Sequence, residues 1–436
     1  MPREIKNFNW NVENHSLINN LSSLPAEPTS EQILHTTIVS EDLRDGLHGS
    51  EIYPSLKEIM PYVHALSHVG IDRMTVGIFP GESEIVNSTI KQILRSLDRE
   101  LPHITPIVLC LATSESLKWT LDCKEINPKL EALVFMGSSP IRRLVQNWSM
   151  GFILKQMELI ISQATSKGLP VIGATEHTTQ TPPDELESII KIQVNSGASS
   201  FCIADTVGIA RPLGAFRITN FVRTILDESG FSHIPVEWHG HRDLGNDLQN
   251  ALMSICGGAS RIHTVARGVG ERAGNTSLEA LLLNFDAILQ DHNLDLPWRV
   301  DNLLQTLQLY EDLTNTDRPD HGPLGKRHSR TSLGIHADAI EKIHKLVDSA
   351  KTEEEASSFR EMAHTIYSAV DSTRFGGKLE SGIGPWSGKK NVYLTLRYMG
   401  ISSDTIDGNI INDLLHQARL MGRELSNDEI KQIITK

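Results

Sequence analysis

Four cysteines in 436 residues, Cys110, Cys123, Cys202 and Cys256, form neither a CxxC pair nor a dense framework. That excludes a disulfide scaffold and a closed thiolate zinc site, and it agrees with a reducing interior. Cys110, Cys202 and Cys256 sit in apolar runs, where a thiol serves as a small core group. Basic residues are scarce as well: 41 Lys and Arg against 54 Asp and Glu give a formal net charge of −13. Nucleic acid is therefore excluded as a partner, since neutralising phosphates requires a basic surface. No run approaches the roughly 20 apolar residues of a spanning helix. The opening Met-Pro-Arg-Glu-Ile-Lys-Asn-Phe-Asn-Trp has no apolar signal core, so a cytoplasmic protein without a membrane partner is expected. The dinucleotide spacing GxGxxG is missing too. Gly-Val-Gly-Glu-Arg-Ala-Gly-Asn at 268–275 follows a late apolar run instead of opening a first βαβ unit, which rules out a Rossmann site.

What is present is an alternation. Short apolar runs at Leu34–Val39, Arg73–Phe79, Pro106–Ala112, Ala132–Gly137, Pro170–Thr175, Ser200–Asp205, Ile234–His241 and Arg261–Ala266 read as strands. Amphipathic stretches such as Ser55–Ser67, Ile85–Leu97, Phe152–Ser166 and Glu185–Asn195 lie between them. Eight such units over about 250 residues match a closed (β/α)8 TIM barrel, an α/β fold. The domain reading is a polar N-terminal arm over 1–30 and a barrel over 31–296. Residues 297–436 follow as a linker with small C-terminal α/β or helical subdomains. In that tail His336, Ile340, Ile343 and Val347 share a helical spacing, and the chain from about Asp407 is helical again.

The polar residues at the ends of these runs carry the chemistry. His239 and His241 lie two apart on a strand and so face the same way. With Asp45 after the first run and Asn275 after the eighth, they offer two imidazoles, a carboxylate and an amide. Such a borderline-hard set suits a divalent cation (Zn2+, Mg2+ or Mn2+) and leaves room for substrate oxygens. Arg44, turned differently from Asp45, would stabilise negative charge developing on a carbonyl oxygen. Its bland alternative is a structural ion pair. Glu176 at the end of strand five would have a raised pKa and act as a base or water activator, unless a neighbouring cation neutralises it. Glu271 and Arg272 read as a structural pair. Lys326, Arg327, His328 and Arg330 would meet coenzyme phosphates or, more simply, water.

As a set, these motifs resemble the barrel metalloenzymes that include 2-isopropylmalate, homocitrate and citramalate synthases and hydroxymethylglutaryl-CoA lyase. The resemblance is carried by Leu43-Arg44-Asp45-Gly46, His239-Gly240-His241-Arg242-Asp243-Leu244-Gly245, Gly270-Glu271-Arg272-Ala273-Gly274-Asn275 and Asp205-Thr206-Val207-Gly208. It covers about residues 31–290. Gly334-Ile335-His336 and Ser387-Gly388-Lys389-Lys390-Asn391 resemble the tail of the α-isopropylmalate synthase branch, whereas the lyases end soon after the barrel.

The resemblance implies acetyl-CoA as co-substrate and a metal held by Asp45, His239, His241 and Asn275. Thr206, Glu176, Arg44 and His48 would line the oxo-acid pocket, and His336 would help remove a proton from acetyl-CoA. The implied reaction is a Claisen condensation and thioester hydrolysis that yields a 2-substituted malate, by default 2-isopropylmalate in leucine biosynthesis. A homodimer is implied as well. Rival readings are a synthase for another oxo acid, a metal-dependent lyase and a non-catalytic relative. Leu47 and His48 stand where an acidic residue and glutamine are usual, Leu133 where the synthases have histidine, and Arg242 where Asn or Asp is frequent. No counterpart of the family's tail tyrosine is evident, and the tail is too short for a leucine-sensing domain.

Overall fold

The computed structural model describes residues 10, 25, 27–48, 53–402 and 407–435. Eight parallel strands close on themselves in sequence order, with β1 hydrogen-bonded to both β2 and β8. They are β1 (Thr37–Ser40), β2 (Arg73–Ile78), β3 (Thr105–Leu111), β4 (Glu131–Gly137), β5 (Val171–Glu176), β6 (Ser200–Asp205), β7 (Val236–Gly240) and β8 (Arg261–Thr264). Helices alternate with them, so the expected TIM barrel is the fold. Most strand ends shift by a residue or two from those expected, and one differs in kind. Leu34, read as the start of a strand, ends the helix Ser30–Leu34. Thr29 and Gln32 form a capping box that satisfies the free N–H groups there, and this outweighs the β-branched run that follows.

Alternation along each strand sorts side chains between two cores. Val39, Ile107, Leu109, Leu133, Ile172, Ala174 and Cys202 fill the barrel interior. Ala132, Val134 and Val171 point outward against Ile153, Met157, Ile160 and Ile161 of the helix Met150–Ser166. Most of the arm expected over 1–30 lies outside the described residues, as do 49–52 and 403–406. Trp10 is described and buried; it donates Nε1–H to the Thr181 carbonyl at 3.2 Å and packs on Phe221.

The chain divides into two compact units, one of Met1–Arg299 with Leu309–Thr316, the other of Val300–Gln308 with Asp317–Lys436. The second has its own core of Ile383, Val392, Leu396, Ile411, Leu414, Leu415 and Ala418. Among its described residues the strands form a parallel pair, β9 (Arg330–Thr331) with β10 (Glu380–Ser381), and the other elements are helices. The helix Gly334–Ser349 buries Ala337, Ile340 and Ile343.

Candidate active site

The turn after β1 sets the first functional group. Gly46 closes it, donating N–H to the Glu41 carbonyl at 3.1 Å. A Cβ there would collide with the Tyr310 hydroxyl and lie 2.7 Å from the Asp42 carbonyl oxygen, so only glycine fits. This turn buries Asp45 to 1% exposure at the C-terminal mouth of the barrel. From β7, His239 Nε2 comes within 3.4 Å of Asp45 Oδ2, and His241 Nε2, one residue past the strand, within 3.7 Å of the same oxygen. Burial alone would raise the Asp45 pKa. The His239 hydrogen bond and the Arg44 charge outweigh it and hold the carboxyl well below its usual range. Burial, and then the neighbouring His239, push His241 down to about 4, so its ring is neutral and able to ligate at neutral pH.

Asn275 is brought alongside by backbone pairing between His241 and Asn275 across the mouth. Its Nδ2 donates to the Val269 carbonyl at 3.1 Å, while its Oδ1 is buried without a hydrogen bond. Gly270, at φ +136°, leaves room for that amide: a Cβ there would strike Asn275 Nδ2. His241 Nδ1 is 3.2 Å from the Gly274 carbonyl, which fixes the ring with Nε2 facing Asp45. A bare buried amide oxygen, a carboxylate and two oriented imidazoles fit a divalent cation.

Arg44 does not turn away from Asp45. Its Nη1 donates to Asp45 Oδ2 at 2.9 Å and sits 3.8 Å from Glu41 Oε2. Its Nε is buried and unpartnered, and the side chain lines the cavity under the mouth. That cavity holds about 520 Å³ of free space including its opening. Thr206 and Glu176 line it as well, whereas His48 is more exposed at the rim, 3.7 Å from Asp45 Oδ1 and 3.8 Å from Glu271 Oε2. Glu176 does have a neighbouring cation. Arg142 Nε donates to its Oε2 at 3.2 Å, the neutralised alternative. Ser139 and Pro140 start a helix there and set Arg142 opposite the end of β5. Arg272 does not pair with Glu271; its Nε bonds Asp243 Oδ1 at 2.9 Å. The basic run is not free for phosphates either: Arg327 and Arg330 both bond Glu424, and Lys326 faces Asp320 at 3.6 Å.

Below the mouth lies a cluster that the sequence reading missed. His263 Nδ1 meets Glu41 Oε1 at 2.8 Å and Nε2 meets Glu237 Oε2 at 3.0 Å, all three residues at most 2% exposed. Burial alone would lower the His263 pKa, but Cys202 and the two bonded carboxylates raise it well above the ordinary value. Burial likewise opposes ionisation of Glu237, yet the His263 bond and the Arg261 charge bring it down to about 2. The signal was available. Glu237 is two before His239, so the alternation that turns the imidazoles inward turns it inward one layer deeper.

His336 lies in the second unit, at the start of Gly334–Ser349. Its ring stacks on Tyr367 with centroids 3.8 Å apart, beside a cavity also lined by His364 and Tyr398. Tyr367, which the sequence did not single out, gave no signal, because it lies 31 positions along the chain from His336.

Comparison with known proteins adds four findings. A family described as HMGL-like matches residues 35–304. Homocitrate synthase AksA of Methanocaldococcus jannaschii is 24% identical over 400 residues, 91% of this chain and 89% of that protein. A probable 2-isopropylmalate synthase of Methanopyrus kandleri is 28% identical over 320 residues, 72% of this chain but 59% of that longer protein. Among solved structures, an HMG-CoA lyase from Acenitobacter baumannii in complex with coenzyme A and 3-methylmalate shares the fold. Its TM-score is 0.53 at 19% identity, covering 65% of this chain and 92% of that one.

Proposed function

Because the chain belongs to the HMGL-like family, we propose that it condenses acetyl-CoA with a 2-oxo acid to give a 2-substituted malate and free CoA. The default pair is 3-methyl-2-oxobutanoate and 2-isopropylmalate, as in leucine biosynthesis, in a cytoplasmic homodimer. The observation that carries the choice of synthase is the extent of likeness. The homocitrate synthase is matched along 91% of this chain, the tail included, whereas the lyase is matched over 65%.

Asp45, His239, His241 and Asn275 would hold a divalent cation. When bound there it polarises a ketone oxygen and orients the neighbouring carboxylate. The chain's own groups account for the rest. A base takes a proton from the acetyl methyl group, and the carbanion forms a carbon–carbon bond to the ketone carbon. The ketone oxygen gains the negative charge, and Arg44, lining the cavity with an unpartnered Nε, donates to it. Water then adds to the thioester carbonyl, and the C–S bond breaks to release the CoA thiol. We assign the methyl proton to His336 and the activation of water to Glu176, with Thr206 and His48 contacting the acid.

The test is CoA-thiol release from acetyl-CoA with a divalent metal across a panel of 2-oxo acids. Release with at least one acid supports the synthase. A lyase is the second reading, favoured by the shared fold. Cleavage of 3-hydroxy-3-methylglutaryl-CoA, with no thiol release from acetyl-CoA, would establish it instead.

A further inference from the structure

His177, the residue after β5, has a left-handed backbone (φ 61°, ψ 35°). A side chain is strained in that conformation, and such strain persists only where the surroundings hold it. Here they hold it through two groups that line the cavity. The first is Thr206. The His177 N–H donates to Thr206 Oγ1 at 2.9 Å, across 29 positions of the chain. Arg272 Nη2 fixes the Thr206 carbonyl at 2.6 Å, so the hydroxyl is the part left to orient. A hydroxyl that accepts an N–H still has its own proton to give. No acceptor takes that proton among the described residues, and Thr206 lines the cavity. The His177 backbone thus makes Thr206 a donor for a negatively charged ligand group.

The second group is Glu176, which the ring faces. Ser139 Oγ accepts the Arg142 N–H at 3.2 Å and lies 3.1 Å from His177 Nδ1, to which it can give its own proton. The ring proton then sits on Nε2, 3.6 Å from Glu176 Oε1. Arg142 Nε donates to the other carboxylate oxygen at 3.2 Å, so Glu176 is held from both sides. Burial lowers the His177 pKa against the Glu176 charge, and Arg142 and Arg272 lower it further, so the ring is neutral at pH 7.

We propose that His177 is a positioning residue with two separable actions: its backbone N–H turns the Thr206 hydroxyl proton into the cavity, and its ring holds Glu176 Oε1 in place. On the reading given above, on which this inference rests, the first action serves binding of the 2-oxo acid. The second serves activation of the water that attacks the thioester.

Glycine at 177 keeps the left-handed backbone and its N–H but removes the ring, whereas valine disfavours that backbone. Calorimetry on the full-length, Mn2+-loaded protein without acetyl-CoA measures binding apart from turnover. The probes are pyruvate, 3-methyl-2-oxobutanoate and 2-oxoglutarate, and the acid bound most tightly is carried through the variants. His177→Gly should bind it within about twofold of the parent, while kcat for thiol release falls about tenfold. His177→Asn, which tolerates the same backbone and retains a side-chain donor, should recover part of that rate. His177→Val should weaken binding about tenfold, and so should Thr206→Val. The double variant should be no weaker than either, because each change removes the same donor. If circular dichroism shows that His177→Val does not fold, Thr206→Val in the His177→Gly background should still weaken binding about tenfold. Unchanged kcat in His177→Gly, unchanged binding in the valine variants, or additive losses in the double variant each overturn the proposal. A parent that binds no acid and releases no thiol overturns the synthase reading as well. A parent that does both while the losses add overturns this inference alone.

Discussion

Asn275 spends its Nδ2 on the Val269 carbonyl and leaves Oδ1 buried and bare, an arrangement that costs stability unless something electropositive meets the oxygen. Asn275→Ala should therefore weaken Mn2+ binding by about tenfold or more while the barrel stays folded. Calorimetry with the metal alone, alongside circular dichroism, checks both halves, and unchanged affinity would remove Asn275 from the ligand set. Arg44 makes the opposite case. It touches the Asp45 carboxylate but offers no lone pair to a cation, so Arg44→Ala should retain metal binding. Turnover should fall by about 10²–10³ through loss of charge stabilisation. Parallel loss of metal and rate would instead make it a structural partner of Asp45. Asp45, His239, His241 and Asn275 were legible in the sequence because each lies at the C-terminal end of a strand or in the loop that follows one, where a TIM barrel converges its side chains. The partners of Glu176 and Arg272 were not, since Arg142 arrives on the helix Pro140–Gln146 and Asp243 in the loop after β7, and only the fold determines their approach.

β8 joins β1 to β7, and inside the barrel the same closure is repeated by side chains. His263 on β8 bonds Glu41 just after β1 and Glu237 on β7, with Thr75 of β2 donating to Glu41 and Arg261 to Glu237. Removing the imidazolium leaves two buried carboxylates facing each other across an apolar gap. His263→Leu should cost about 3–5 kcal/mol of unfolding free energy. Denaturant unfolding measures it, and a loss below about 1 kcal/mol would mean that the carboxylates protonate or rehydrate at little cost. The strands themselves were readable because their apolar runs are short and bounded by turn formers. The exception, Leu34, shows what overrides such a run, namely a local capping box one turn upstream. Helix Pro140–Gln146 escaped notice because it buries none of its residues and so has no apolar face to betray it.

At the scale of the whole chain, the two units respond to acid through groups of opposite sign. In the barrel, burial raises Asp42 and Asp205 to about 6, against the hydrogen bonds of Ser40 and Thr179 respectively. Their folded pKa lies above the unfolded one, so their contribution is fully present below about 3.8 and is lost as pH rises through about 6. In the second unit, burial and then the Arg397 charge push His344 down to about 4, where it packs edge-on against Tyr398. Its folded pKa lies below the unfolded value of about 6.5, so its contribution is complete above that pH and is lost as pH falls toward about 4. Asp348 opposes the shift but lies too near solvent to cancel it. His344→Phe keeps the ring against Tyr398 and removes the proton site. The fall in unfolding free energy between pH 6.5 and pH 4 should therefore be shallower in that variant than in the parent. Denaturant titrations of the full chain at both pH values supply the comparison. Identical slopes would mean that His344 titrates normally and that its burial is relieved by local opening, since only a group held away from water in the folded state can make folding resist protonation.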